Sequence, residues 1–501
     1  MTHPSKAPNH VILAKNDTQK LQPAGHFAFP KNKSHGLLNS MCGLLTKRSF
    51  LAGSCFLAFS LGAVCAQEMV MNEKVAPAEA ANPSGGLGGL LKLGANWSLH
   101  TQATVIEQWH GGFRSPYEGS ESMSHKNDSE RTFSFSLFID RRLWTGAEVI
   151  YNPEVFQGHG LSDTFGLAGF PNGEAVKSGF PNLHYNTSRL FLRQVVGLGG
   201  EKEKIEEDAN QLSGELDVNR LTFSIGKFSA GDFFDGNTFS HDPKTQFLNW
   251  AIWESSAWDY PADVVGYTAG FVAEWNTKDT TLHYGIFMEP EVSNGVRFDK
   301  HIGKAFGQIL QYDVRYKVGE RKGTVRPFVY FNRAHMGNYA EAARQPYPSD
   351  ITLTRAYRSK AGLGVSWDQE LTSDLGAFAR LSWSDGKNES WAFTEIDRSV
   401  VAGLSLRGAR WSRPDDTVGL AGVVNGISSE HQRYLANGGT GLILGDGALN
   451  YSTEQILETY YDVQVFKWLH LAADYQYARH PGYNADRGPI SFFAVRAHVL
   501  Y

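Results

Sequence analysis

Read backwards from its last residue, the chain alternates. Tyr501, Val499, Ala497, Val495 and Phe493 fall on one side, and Leu500, His498, Arg496 and Ala494 on the other. A period of two belongs to a strand with one apolar and one wet face. An aromatic as the final residue of such a strand is the usual ending of a bacterial outer-membrane barrel. The stretch from Ile490 to Tyr501 therefore predicts the closing strand of a transmembrane β-barrel.

The same pattern recurs upstream. Leu221, Phe223 and Ile225 oppose Arg220, Thr222 and Ser224; Leu310, Tyr312, Val314 and Tyr316 oppose Gln311, Asp313 and Arg315; Ala361, Leu363, Val365 and Trp367 oppose Lys360, Gly362, Gly364 and Ser366. The full reading is sixteen strands, at 95–108, 131–139, 143–154, 189–196, 219–226, 264–276, 279–288, 306–317, 323–333, 357–368, 375–384, 399–408, 417–427, 455–465, 468–478 and 490–501, with eighteen left open. An even count suits a barrel with both ends on one side, and about sixteen strands enclose an aqueous lumen. Short connections such as Thr277-Lys278-Asp279 alternate with long ones, as between periplasmic turns and outer loops. Trp97, Trp109, Trp144, Trp275, Trp383, Trp468, Tyr151 and Tyr501 lie near strand ends, where a barrel carries its aromatic girdles. A water-soluble β-sandwich would balance its core stripe with a more charged exterior.

The first 66 residues read as an N-terminal extension and a signal peptide. Lys47 and Arg48 precede the apolar run Phe50 to Val64, which ends Ala63-Val64-Cys65-Ala66. Cleavage is expected after Ala66, with a lipoprotein cut before Cys65 as the alternative. Cys42, Cys55 and Cys65 all lie in this leader, so a processed chain would hold no disulfide and no thiolate metal site. The leader is basic and the whole chain carries −5, so the remainder is acidic and does not read as a nucleic-acid binder. Residues 67–94, rich in Ala, Glu, Pro and Gly, read as a flexible periplasmic lead-in, and 95–501 as the barrel.

The wet faces carry both charges: Arg193, Arg220, Arg315, Arg326 and Arg380 beside Asp313, with Tyr330 among them. A ring of one sign would select ions of the other. A mixed lining with aromatics suits neutral polyols, whose hydroxyls bond to Arg and Asp and whose C–H faces pack on rings. Alternatively the mixed charges only keep the lumen wet and paired. The long segment 227–263 is the candidate constriction, contributing Lys227, Asp235, Lys244, Gln246, Asn249 and Trp250. Arg413 and Asp415, in the run Arg410 to Asp416, complete the candidate lining.

Several runs resemble the carbohydrate-selective porins of the OprB family. They are Gly226-Lys227-Phe228 through Thr245-Gln246-Phe247-Leu248-Asn249-Trp250, Trp258-Asp259-Tyr260-Pro261-Ala262-Asp263, Arg413-Pro414-Asp415-Asp416-Thr417, Gly445-Asp446-Gly447 and His480-Pro481-Gly482-Tyr483 through Pro489. The resemblance runs from about residue 95 to the end. It implies an outer-membrane channel for passive diffusion of mono- or oligosaccharides into the periplasm, narrowed by inward-folded loops with Arg in the lining. The expected partners are neutral sugars, outer-membrane lipids and, during biogenesis, the barrel-assembly machinery; no cofactor, metal or nucleic acid is expected. The alternative is a general or ion-selective porin. The connection 197–218, with Glu201-Lys202-Glu203-Lys204 and Glu206-Glu207-Asp208, departs from the pattern as a charged insert expected to be solvated. A catalytic reading lacks both a Gly-x-Ser-x-Gly elbow and an H-E-x-x-H zinc motif. The adjacent Asp415 and Asp416 would point to opposite faces of a strand and could not flank one glycosidic bond.

Overall fold

A computed structural model describes residues 93–501 except Ser178. The expectations for the leader, its cysteines and most of the lead-in fall on residues 1–92, outside the described residues. Sixteen antiparallel strands close into one barrel. In chain order they are β1 Trp97–His110, β2 Asp128–Trp144, β3 Ala147–Gly158, β4 Phe180–Gly197, β7 Arg220–Phe228, β8 Thr268–Asn276, β9 Thr280–Phe287, β10 Phe306–Val318 and β11 Arg321–Ala334. They continue with β12 Arg358–Glu370, β13 Leu375–Ser384, β14 Arg398–Gly408, β15 Arg413–Gly426, β16 Glu454–Phe466, β17 Leu469–Arg479 and β18 Ile490–Leu500. Each overlaps one of the sixteen strands read from the sequence. A separate hairpin, β5 Lys202–Ile205 with β6 Gly214–Asp217, occupies the charged insert. That segment was expected to be solvated. Its exposed charges fit, but it also forms a small sheet of its own.

The terminal strand does what its alternation predicts. β18 pairs with β1 from Gln102 opposite Leu500 to His110 opposite Phe492, and Tyr501 exchanges two backbone bonds with Thr101. Closure leaves no strand edge unpaired in lipid, where an unmet N–H or C=O is costly. Phe493 and Val495 face out, while Ala494, Arg496 and His498 are buried inside. Leu310, Leu363, Leu381, Leu404, Leu457 and Leu471 extend the apolar outer face around the wall. Trp144, Trp275 and Trp468 stand exposed at the short-turn end, and Trp109 and Trp383 toward the other. Among the described residues no helix is long and apolar enough to cross a membrane.

Both termini of the barrel and the tight connections, such as 145–146 and 319–320, lie at one end. The long connections other than 198–219 lie at the other, which the asymmetry of such barrels makes the outer side.

Candidate pore constriction

The segment 229–267 leaves the barrel rim and turns into the lumen. Its departure is set locally. Gly226 sits at φ 143°, where a Cβ would lie 2.4 Å from the Leu190 carbonyl oxygen, so only glycine fits the close approach of β4. Ser229 and Asp232 then form a reciprocal capping box around the 3₁₀ turn Ala230–Asp232. Asn249 caps the single helical turn Trp250–Trp253 by accepting from the Ala251 N–H.

Polar side chains of the wall hold this loop. Arg380 of β13 donates to the carbonyls of Ile252 (3.0 Å), Ser240 (2.6 Å) and Asp235 (3.3 Å). The Asp235 carboxylate lies 3.4 Å from the same guanidinium and accepts from both the N–H and the hydroxyl of Ser255. Glu458 of β16 accepts from the backbone of Leu248 and Asn249, and Gln476 of β17 from the Asn249 amide. Arg496 of β18 donates to the carbonyls of Pro243 and Gln246. Tyr330 of β11 donates to the Ala257 carbonyl, and the fully buried Lys360 of β12 pairs with Asp259 at 3.2 Å. On β15 the anchor is a missing side chain: a Cβ on Gly419 would collide with Tyr460 and lie 2.8 Å from Phe247 of the loop. The Asp235 N–H also donates to Gln311 of β10, so the loop is fastened along the arc from β10 to β18. A buried backbone with few partners of its own needs such donors and acceptors.

A second outer connection, 159–179, also turns inward. Glu454 accepts from the backbone of Ala168 and Gly169, and the Pro171 carbonyl accepts from Gln108 and Gln476. The two loops meet in a stack of rings that includes Phe393 from the connection 385–397: Phe170 lies 5.3 Å from Trp250, Trp250 5.3 Å from Phe393, and Phe393 5.0 Å from Tyr260. Trp250 is buried in this stack, so it joins the loops to each other.

The other side of the lumen, along β2, β3, β4 and β7, carries partly exposed charges. Arg189 pairs with Asp232 at 2.5 Å and lies 5.4 Å over the Tyr267 ring. Lys227, 28% exposed, lies 3.7 Å from Asp263 and 5.8 Å from the centre of the same ring. Tyr267 donates to Glu154, which also accepts from Ser136. Burial and the adjacent Glu154 carboxylate hold the Tyr267 phenol well above its ordinary value, so it remains a donor. Lys244 pairs with Glu174, which accepts from Ser134 of β2. Burial works against the Lys244 charge, but Glu174 and Glu154 keep its pKa above the ordinary lysine value. Deeper in the loop, burial and the neighbouring Asp235 push the Glu254 carboxyl well above its ordinary value.

The predicted lining therefore divides. Lys227 and Lys244 belong to this charged side. Asp235, Asn249, Trp250, Tyr330 and Arg380 are buried in the loop–wall contact, and Gln246 braces the loop through His241 and Thr238. Arg326 and Asp313 form a wall network with Asp368 and His283. Arg315 braces the tight turn after β8 through the carbonyls of Thr277 and Thr280. Arg413 pairs with Asp416 at the short-turn end of β15, with Asp415 beside it, so this run is not part of the constriction. Arg193 and Arg220 lie at the same end, against Glu148 and Glu203. Arg189, Glu154, Glu174 and Tyr267 were not among the predicted residues. Arg189 stood at the first position of a predicted strand and Tyr267 inside another, and only the fold turns them toward Lys227.

A sequence model described as "Carbohydrate-selective porin, OprB family" matches residues 120–501. The chain belongs to that family. The high-pH structure of Pseudomonas putida OprB is 17% identical, covers 81% of this chain and 94% of its own, and superposes with a TM-score of 0.61. Its low-pH structure is 14% identical over 81% and 93% of the two chains, with a TM-score of 0.45. The outer membrane channel DcaP of Acinetobacter baumannii is 10% identical over 81% and 97%, with a TM-score of 0.44. No curated protein sequence matches. As a member of the OprB family the chain is a porin of the outer membrane, in a family of channels rather than enzymes.

Proposed function

We propose that this porin passes neutral mono- or oligosaccharides by passive diffusion along the charged side of its constriction. The observation that carries the reading is the cluster of Arg189, Lys227, Tyr267, Asp232, Asp263 and Glu154, opposite the arc that fastens the loop. Its two cations pair with Asp232 and Asp263, and Glu154 leaves one carboxylate over, so the cluster offers a small net field together with the partly exposed donors and acceptors of Arg189, Lys227 and Asp232. Lys244 with Glu174 continues the same lining. The buried Tyr267 ring lies under both Arg189 and Lys227 and so positions these two cations in the lining.

Single-channel recording in planar bilayers tests this. Added neutral sugar is expected to interrupt the ionic current, and Lys227→Met is expected to weaken that block severalfold while leaving the open channel intact. Sugar block that is the same in the wild type and Lys227→Met would remove this cluster from the pathway.

A further inference from the structure

The connection between β4 and β7 lies at the short-turn end, where the other connections are tight turns of a few residues. Here it is the hairpin β5–β6, and its contacts show where the hairpin goes. All but one are made to inward-pointing side chains of consecutive strands. His100 of β1 lies 3.3 Å from Glu207. Arg142 of β2 donates to the Ser213 carbonyl at 2.8 Å. Arg193 of β4, already paired with Glu148 of β3, donates to the Asn210 carbonyl at 2.9 Å. Arg220 of β7 pairs with Glu203 at 2.6 Å, and Lys278 in the turn after β8 pairs with Glu201 at 3.1 Å. The tip between the two strands, 206–213, thus reaches His100, Arg142 and Arg193, which point into the lumen. Leu212 is buried there, whereas Glu203, Glu206 and Asp208 stay exposed.

This is the same arc, β1 to β4 with β7, that the outer loop leaves free of its main anchors. We infer that the hairpin is a second constriction, set at the periplasmic exit of the passage and in series with the outer loops. The inference rests on the proposed route along that side of the lumen. The tip brings acidic side chains to an exit whose wall supplies Arg142, Arg193 and Arg220. Solute leaving the outer constriction meets a second narrow, hydrogen-bonding segment before the periplasm, so the hairpin limits size and rate at the exit. A hairpin held only for stability would be fastened outside the mouth, along the rim. Only Lys278 fastens this one at the rim; its tip is held by His100, Arg142 and Arg193, which face the lumen.

The test uses the whole protein with residues 201–215 replaced by a short Gly-Ser turn. Channel insertion and sugar block of the unmodified protein are recorded first, so loss of the route itself is seen separately. The shortened protein is expected to conduct more, about twofold if the two narrowings are equal resistances in series, and to admit larger oligosaccharides into liposomes. Unchanged conductance and an unchanged size limit would overturn the inference. If the shortened barrel fails to assemble, Asp208→Cys in the otherwise intact chain decides. Reaction with a bulky, membrane-impermeant thiol reagent on the periplasmic side is then expected to lower conductance, and no change on complete labelling would overturn the inference.

Discussion

At the scale of single residues, the wall spends its lumen-facing charges on backbone. Arg380 is 1% exposed and its guanidinium serves three loop carbonyls and one carboxylate. Removing such a partner leaves Asp235 buried without its cation, a change that costs about 3–5 kcal/mol in other proteins. Arg380→Ala is therefore expected to lower the thermal midpoint of the folded barrel and to make the open-channel current noisy, as the loop loses its hold. A quiet channel with unchanged stability would show that Glu458, Lys360 and Arg496 hold the loop without it. The identity of these anchors was partly legible. Alternation placed Arg380, Tyr330 and Arg496 on the wet face. Alternation reports which face a side chain occupies, not what occupies the space beyond. Lumen-facing residues that bond a folded-in loop look the same in sequence as residues that touch solute.

At the scale of elements, the strands and the inward turn of the long segment 227–263 were legible, and the partners that hold that segment were not. A strand that crosses a bilayer must repeat apolar and polar positions, and that repeat is local. A loop that folds into a lumen is held by partners hundreds of positions away, as Asn249 is by Gln476. The β5–β6 hairpin was read only as charge, because its four-residue strands are too short to show a period. Among the outer loops, the helix Ser429–Ala436 buries His431 between Glu395 at 3.6 Å and Asp397 at 3.4 Å, with Tyr339 stacked on its ring at 4.0 Å. Burial opposes the imidazolium, but Asp397 and Glu395 outweigh it and raise the His431 pKa above the ordinary 6.5. Burial likewise opposes the Asp397 charge, and His431 and Lys360 bring its pKa down to about 2. A raised histidine contributes fully below its unfolded value and loses that contribution as pH rises through the folded one; a depressed aspartate contributes above its unfolded value and loses that as pH falls. The loops are therefore expected to be tightest between about pH 4 and 6.5, the ordinary values of the two groups. Limited proteolysis of the outer loops is expected to speed up as pH rises above that window, and His431→Asn to abolish the dependence. A cleavage rate flat from pH 5 to 9 in the wild type would contradict it.

At the scale of the molecule, one closed sheet does two jobs. Its outer face meets lipid with Leu, Val and aromatic side chains, and its inner face is wet enough to anchor two loops and still carry paired charges. Closure was readable from the last strand, whose aromatic end meets Thr101 at the start of the first. Selectivity is not a property of the barrel but of what fills it, and fold alone does not set a substrate. Swelling of liposomes containing the protein, with neutral sugars and amino acids of matched size, measures that property directly. The account predicts that sugars enter faster than amino acids of equal size. Equal entry at equal size would contradict it and leave a general diffusion porin.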